Sequence, residues 1–146
     1  MPSTLTVTDQ RQLVITEANS WLGTPFSERA CIKKVGIDCG QFLIACYSAA
    51  GIPVPSVNEL PFCKHGWSLN KDDERYYQII TKFAKPVSNP EPGIICMLRI
   101  GRSWAHSAII VDWPMVIHAS PAGVQLSNVN QIPRMGKDRL FLSPWV

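Results

Sequence analysis

The strongest constraint on the fold is an apolar helix with well-marked ends, in the segment DCGQFLIACYSAAGIP that begins at Asp38. Asp38 is a good N-cap, because its carboxylate can accept hydrogen bonds from the backbone N–H groups of the first turn. Gly51 and the proline two residues later end the helix. The apolar side chains at helical spacing are Phe42, Leu43, Cys46, Tyr47 and Ala50. A buried helix over residues 38–50 is therefore predicted, with Cys39 in its first turn.

Two further helices are predicted from the same spacing. Residues 9–22 form the first helix, with Thr8 or Asp9 as its cap, and residues 71–84 form the third. The third helix directs four apolar or aromatic side chains inward, namely Tyr76, Ile79, Ile80 and Phe83.

Short β-rich runs separated by turn residues follow the helices. These runs span residues 94–100, 105–112, 115–120, 123–129 and 139–145. Helices followed by consecutive short strands favour an α+β fold, and connections of a few residues favour antiparallel pairing. The predicted architecture is an α+β fold in which the N-terminal helices pack on a mostly antiparallel sheet of about five strands.

Length, charge and cysteine usage exclude several classes of protein. The 146 residues predict one domain over 1–146. A net charge of +3 without a basic run is too small to hold nucleic acid, and no apolar run reaches the ~18 residues of a membrane span. The amino-terminal residues show no secretory signal, and five cysteines without a CxxC pair favour neither a disulfide framework nor a zinc ribbon. Synthesis in a reducing cytoplasm is expected.

Cys39 is the candidate nucleophile, because a thiol at a helix N-terminus loses its proton more easily than elsewhere. The helix dipole contributes at most about 2 kcal/mol, which lowers a thiol pKa by little more than about one unit. A neighbouring imidazole must therefore take the proton. The charge of Asp38 opposes ionisation if it points at the sulfur, and we expect its carboxylate to turn to the backbone N–H groups instead. The plainer alternative is that Cys39 is a small hydrophobic residue of the core.

Two of the three histidines stand in strand-like runs and are candidates for that imidazole. His65 lies in a polar, proline-flanked segment and is expected on the surface. A hairpin turn centred on Trp113 places His106 opposite Ser120, with His118 as the diagonal neighbour on the same face. A register slip of one residue would put the two imidazoles on opposite faces.

The resulting hypothesis assigns a role to each of three side chains. Cys39 is the nucleophile, His106 is the base that becomes the acid, and His118 orients His106. The residues leave two alternatives open, which are three unrelated side chains with packing roles and a zinc site built from the same three side chains.

Five ordered segments resemble the NlpC/P60 family of papain-like cysteine peptidases. WLGTPF is similar to the end of the family's opening helix, and GIDCGQFLIACYSAAGIPVP to its nucleophile segment. EPGIICML resembles the Pro-Gly-Asp strand opening, AHSAIIVD the strand that carries the catalytic histidine, and VIHASPAGVQLSNV the Ile-His-Ala segment. The resemblance runs from Trp21 to Val129 and covers most of the chain.

The resemblance implies an antiparallel sheet packed against the nucleophile helix. It also implies cleavage of peptide bonds in bacterial cell-wall peptides, typically between D-glutamate and a diamino acid. We expect no cofactor and no metal. By position, Cys39, His106 and His118 match the family's nucleophile, base and third polar residue. An amidase or acyltransferase of the same fold and a non-catalytic module that binds wall peptides are the alternatives.

The sequence departs from the family pattern at three places. Phe26 stands where many members have tyrosine. Gly40 and Gln41 stand in place of the family's Ser-Gly. Ile94 and Ile95 follow Pro-Gly where aspartate is common. In the Gly-Gln variant and in the lack of a wall-anchoring domain, the sequence resembles phage-encoded members of the family, which are tail-associated or lytic. The expected partner is a peptidoglycan peptide, and a phage tail or a secretion machine is the candidate route to the cell wall.

Overall fold

The computed structural model describes the chain in five stretches, over residues 4–28, 30–55, 75–100, 103–133 and 135–145. Within these stretches three α-helices precede most of the strands, and the main sheet has six strands. The helices pack on one face of this sheet. The α+β fold predicted from the sequence is confirmed.

Helix α1 spans Val7–Ser20 and begins with a capping box. The Thr6 hydroxyl accepts a hydrogen bond from the Asp9 N–H, and the Asp9 carboxylate accepts one from the Thr6 N–H. The prediction that Thr8 or Asp9 is the N-cap is wrong, because this reciprocal pair satisfies two backbone N–H groups at once and starts the helix earlier.

Helix α2 spans Cys39–Ala49 and has Asp38 as its N-cap, as predicted. Helix α3 spans Arg75–Ile80, which is part of the predicted third helix. Residues 71–74 lie outside the described residues, and residues 81–83 form a turn. Three inward-facing side chains of α3 are buried as predicted, namely Tyr76, Ile79 and Ile80. None of the helices in the described stretches is long and apolar enough to cross a bilayer.

A small hairpin of strands β1 (Cys31–Ile32) and β2 (Gly36–Ile37) precedes α2. The strands of the main sheet are β3 (Lys85–Val87), β4 (Ile95–Ile100), β5 (Ser103–Asp112), β6 (Met115–Ser120), β7 (Gly123–Asn128) and β8 (Arg139–Ser143). Their order across the sheet is β3-β8-β4-β5-β6-β7, and each neighbouring pair is antiparallel.

The five predicted strands correspond to β4 through β8, with ends that differ by at most two residues. The sequence analysis missed β3 and the hairpin of β1 and β2. Strand β3 has three residues and includes Pro86 at the edge of the sheet. Such a short run shows no alternation of apolar and polar side chains, and proline is tolerated in an edge strand.

Both faces of the central strands are buried, which explains their nearly continuous apolar runs. On one face, Met97, Ile109 and Ile117 join side chains from all three helices in the main core. On the other face, Leu98 and Val116 belong to a second apolar cluster. Residues between β7 and β8 partly cover this cluster. Helix α2 packs against β5 and β6. The helix that begins at Cys39 therefore packs on the two strands that carry the histidines.

The loop after α1 ties the start of α2 to the start of β7. The Val124 N–H donates to the Thr24 carbonyl over 2.9 Å. Gly123 has φ +107°, and a Cβ there would lie 2.9 Å from the Thr24 carbonyl oxygen, so this close approach requires glycine. One residue further along the loop, the Pro25 carbonyl accepts a hydrogen bond from the Ile37 N–H over 3.0 Å, directly before the N-cap of α2.

Candidate active site

Cys39 is the first residue of α2, and only 4% of its surface is exposed. The buried carboxylate of Asp38 accepts a hydrogen bond from the Gln41 N–H over 2.9 Å. The predicted turn of this carboxylate towards the backbone is therefore confirmed. The sulfur itself receives hydrogen bonds from the backbone N–H groups of Cys39 and Gly40.

Burial is the main influence on the Cys39 thiol, and it raises the pKa well above its ordinary value. The negative charge of Asp38 raises this pKa further, whereas hydrogen bonds from Tyr76 and from two backbone N–H groups lower it. Burial and Asp38 together raise the pKa of the thiol more than the helix N-terminus lowers it, so the thiol is protonated at neutral pH. An attack on an amide then needs a base that takes the proton during the reaction.

His106 and His118 are joined by a hydrogen bond, with Nε2 of His106 2.9 Å from Nδ1 of His118. The ring centroids are 5.1 Å apart, and the planes cross at 76°. Strands β5 and β6 pair with Ile109 opposite Ile117, which is the register of a hairpin centred on Trp113. The structure thus brings together the two imidazoles that the sequence predicted to be neighbours.

A second hydrogen bond continues from His118, whose Nε2 lies 3.1 Å from the Ser127 hydroxyl oxygen. If Nδ1 of His106 is to accept a proton, the neutral ring must carry its own proton on Nε2 and donate it to His118. His118 must then carry its proton on Nε2 and donate it to Ser127. One pair of tautomers satisfies both hydrogen bonds and leaves Nδ1 of His106 as an acceptor.

Ser127 is a site residue that the sequence analysis missed. It lies on β7, two residues after Gln125, and Gln125 pairs with His118. Residues two apart in a strand share a face, so Ser127 and His118 point to the same side of the sheet. Strand alternation could have found Ser127, but only after the register of β6 and β7 was known.

Burial also sets the charge of the two imidazoles. It lowers the pKa of His106 to about 3, with a further lowering by the neighbouring His118. It lowers the pKa of His118 to about 4. Both rings are therefore neutral at neutral pH, and the resting site holds a neutral thiol and neutral imidazoles.

Cys39 and His106 belong to elements that pack together, since α2 contacts β5. However, burial sets the pKa of Cys39 first, followed by Asp38, Tyr76 and the backbone, and among the described residues no hydrogen bond joins its sulfur to His106. Strand β5 has a bulge at Ala105, immediately before His106. Bulges re-aim side chains and recur next to active sites. The structure thus pairs His106 with His118, and it pairs Cys39 with Tyr76.

A groove of about 840 Å³ opens beside His118 on β6 and β7. Its polar side chains come from Ser120, Gln125, Ser127, Asn128 and Gln131, and its apolar ones include Leu126, Ile132 and Met135. Among the described residues of its lining, none carries a carboxylate, an ammonium or a guanidinium group. The described part of the groove therefore offers hydroxyl and amide groups beside apolar side chains.

The other cysteines and the third histidine are spread over the chain. Cys46 is fully buried in the main core, as predicted, and Cys31 is exposed. Cys63 and His65 lie outside the described residues. In the stretches that the structure describes, no group of three or more His, Cys, Asp or Glu side chains is arranged to hold a metal ion.

Comparison of the sequence with protein-family models and with curated proteins gives no match. Comparison of the structure with solved structures gives clear matches. The P60 domain of an antigen from Mycobacterium avium subspecies paratuberculosis has a TM-score of 0.61 over 93% of this chain and 94% of its own, at 16% identity. The chain has the NlpC/P60 fold.

Two Mycobacterium tuberculosis proteins with the NlpC/P60 fold are equally similar in structure and differ in function. RipB is a peptidoglycan hydrolase, and it matches with a TM-score of 0.61 and 17% identity over 95% of this chain and 67% of RipB. RipD is a non-catalytic NlpC/p60 domain protein adapted to peptidoglycan binding, and it matches with a TM-score of 0.61 and 17% identity over 94% of this chain and 98% of RipD. The shared fold therefore serves both catalysis and binding, and the side chains of the site must decide between them.

Proposed function

We propose that this protein is a cysteine hydrolase that cleaves amide bonds in the peptides of bacterial peptidoglycan. The observation that carries the proposal is the hydrogen bond between Nε2 of His106 and Nδ1 of His118. When Nε2 of His106 is the donor, Nδ1 of His106 is a proton acceptor on a strand that packs against α2, whose first residue is Cys39. A thiol, a base and a residue that orients the base are the parts that nucleophilic attack on an amide requires.

In the first step, the Cys39 sulfur attacks the carbonyl carbon of the substrate amide. The S–H bond breaks as the S–C bond forms, and Nδ1 of His106 takes the proton. Because thiol and imidazole are both neutral at rest, this transfer accompanies the attack and does not precede it. The Cys39 backbone N–H is the candidate donor to the negative charge on the carbonyl oxygen. The imidazolium then protonates the leaving amine, which leaves a thioester on Cys39.

In the second step, water attacks the thioester carbonyl and gives its proton to His106. The C–S bond breaks, the sulfur recovers its proton from His106, and the free acid leaves. His118 accepts a hydrogen bond from Nε2 of His106 throughout and stabilises the transient imidazolium. An amidase or acyltransferase of the same fold would share the first step and differ in the acyl acceptor.

The proposed substrate is a peptidoglycan peptide, and the proposed bond lies between D-glutamate and a diamino acid. The resemblance of the nucleophile and histidine segments to NlpC/P60 peptidases supports this choice. The structural likeness to RipB, a peptidoglycan hydrolase, supports the same substrate class. The hydroxyl and amide side chains in the groove beside His118 suit the amide groups of a peptide. We also propose that a phage tail or a secretion machine delivers the protein to the wall.

A non-catalytic module that binds wall peptides is the second candidate function. Three observations favour it. Among the described residues the Cys39 sulfur has no hydrogen bond to His106, and burial together with Asp38 raises the pKa of the thiol. RipD, which has the same fold, is non-catalytic. In this alternative the groove holds a peptide and Cys39 is a core residue.

Two alanine variants and purified peptidoglycan fragments separate these candidates. Cys39→Ala removes the proposed nucleophile and should lower the rate of hydrolysis by at least about 10³-fold. Cys46→Ala is the matched control, because Cys46 is also buried and lies on the same helix, away from its first turn. The products are followed by mass spectrometry, and binding is measured by sedimentation with insoluble peptidoglycan.

Loss of hydrolysis in Cys39→Ala, with activity kept in Cys46→Ala, supports the hydrolase. Cleavage by Cys39→Ala at the parent rate would show that the nucleophile is misassigned. Binding by the parent and by both variants, without any product, would identify the binding module.

A further inference from the structure

A pair of buried hydroxyl groups connects Cys39 with strand β5 and has no part in the reaction proposed so far. Tyr76 of α3 is completely buried, and its hydroxyl oxygen lies 2.5 Å from the Ser107 hydroxyl oxygen. Tyr76 also makes a hydrogen bond to the Cys39 side chain. Sulfur, phenol and serine hydroxyl thus form a continuous hydrogen-bonded chain, Cys39–Tyr76–Ser107, on the helix side of the sheet.

The direction of the hydrogen bonds in this chain depends on the charge of the sulfur. A thiolate can only accept, so Tyr76 must donate to the sulfur, and Ser107 must then donate to the Tyr76 oxygen. A neutral thiol also allows the reverse direction, in which Cys39 donates to Tyr76 and Tyr76 donates to Ser107. The switch needs only rotation of the hydroxyl and thiol hydrogens, and each oxygen keeps its own proton.

We propose that Tyr76 is a catalytic residue, which donates a hydrogen bond to the Cys39 sulfur as the sulfur loses its proton, and that Ser107 is the positioning residue that holds the phenol. This proposal rests on Cys39 being the nucleophile. The phenol stays protonated, because burial raises the pKa of Tyr76 well above its ordinary value. A hydrogen bond to a charged acceptor in a dry interior is stronger than one to a neutral acceptor, so the charged sulfur gains most.

Tyr47 provides an internal comparison for this role. It is as completely buried as Tyr76, and its hydroxyl donates to the backbone carbonyl of Gly93 over 2.6 Å. A backbone carbonyl does not change its charge in the reaction, so the Tyr47 hydroxyl serves the fold alone. The difference between the two tyrosines therefore isolates the contribution of a phenol beside the sulfur.

Among the described residues, Asp38 is the charged side chain that acts on the Cys39 thiol. The charged or titratable side chains on α2's cap and on the elements around it include Glu17, Lys33, Asp38, His106 and His118. Of these, Asp38 is the group that raises the pKa of Cys39, while Glu17 and Lys33 act on Cys46. Both imidazoles are neutral above about pH 6.5. A substitution of Tyr76 that leaves Asp38 in place therefore removes only the phenol hydrogen bond from the groups that set the pKa of the Cys39 thiol.

The rate at which iodoacetamide alkylates Cys39 measures the thiolate without any substrate, and peptide mass spectrometry separates Cys39 from the other cysteines. For Tyr76→Phe we expect alkylation at pH 8 to be about tenfold slower, with the pH–rate profile displaced to higher pH by about one unit. For Ser107→Ala we expect a loss of about threefold, because the phenol is still present and only its position is less fixed. Tyr47→Phe is the matched control and should keep the parent profile.

The sign of the effect separates the proposed role from packing. If Tyr76 were only a core residue, Tyr76→Phe would leave the profile unchanged or loosen the core and speed alkylation, and either result would overturn the proposal. If thermal unfolding shows that Tyr76→Phe does not fold, the alkylation profile of Ser107→Ala is the test instead. An unchanged profile in Ser107→Ala would then overturn the proposal. Because no peptide is cleaved in this assay, its outcome is independent of the Cys39→Ala hydrolysis test.

Discussion

The candidate site consists of two hydrogen-bonded chains that differ in the proton they control. On the helix side of the sheet, Cys39, Tyr76 and Ser107 form the first chain, which holds the sulfur that loses a proton in the proposed reaction. The second chain runs from His106 through His118 to Ser127 and offers a nitrogen that can gain one. Each chain ends at a serine hydroxyl, and burial keeps the sulfur and both imidazoles neutral.

Strand β5 holds one member of each chain at adjacent positions. Ser107 pairs with Met97 of the main core, whereas His106 pairs with Leu98 of the second apolar cluster. Cross-strand partners share a face, so the strand presents the two side chains to opposite faces of the sheet. The bulge at Ala105 lies directly before this pair. The reaction proposed above therefore requires the proton to pass from the helix side of β5 to the side that holds His106.

Removal of the His106 imidazole, the proposed proton acceptor, should have the largest effect on the rate of hydrolysis. His106→Ala is expected to lower the rate of peptide hydrolysis by about 10²- to 10⁴-fold, because the variant lacks the proposed base. Alkylation of Cys39 by iodoacetamide in the same variant should keep the parent profile between pH 7 and 9. This second measurement follows from the neutral resting state, in which the imidazole takes a proton only during attack.

Strong slowing of alkylation in His106→Ala would contradict that description. It would mean that a thiolate–imidazolium pair already exists at rest, so the two chains would be one coupled unit. Full hydrolysis by His106→Ala would instead remove His106 from the mechanism.

Changes at His118 should have a smaller effect that depends on which atom replaces Nδ1. His118→Ala is expected to lower kcat by about 10²-fold, because Nε2 of His106 loses its acceptor and the ring can adopt the other tautomer. His118→Asn should lose only about tenfold, since its Oδ1 can accept the same hydrogen bond. Both variants should change kcat more than KM. Equal losses in the two variants would show that His118 fills space and does not orient His106.

Local chemistry and strand alternation made part of this arrangement predictable. The Asp38 cap and the apolar stripe of α2 are encoded within a few residues, and a hairpin of fixed turn position brought His106 and His118 together. The other members of the chains could not be found this way. Tyr76 and Ser107 are 31 positions apart and meet only because α3 packs on β5. Neither the bulge at Ala105 nor the packing of α3 has a local sequence signal.

The smallest effects concern stability, and they separate the two chains by pH. The folded pKa values of His106 and His118, about 3 and about 4, lie below the ordinary 6.5, so between these values the unfolded chain binds protons that the folded chain does not. Stability is therefore full above about pH 6.5 and falls as the pH drops towards 4, by at most about 1.4 kcal/mol per unit for each ring.

The effect of Cys39 on stability has the opposite dependence on pH. Its raised pKa makes the folded state retain a proton that the unfolded chain loses above about pH 9, so stability falls as the pH rises past this value. Urea unfolding from pH 4.5 to 10 should show that His118→Asn flattens the acid slope alone and Cys39→Ala the alkaline slope alone. Parent-like acid slopes in His118→Asn would mean that folding does not lower the pKa of this imidazole, which would contradict its burial as a neutral ring.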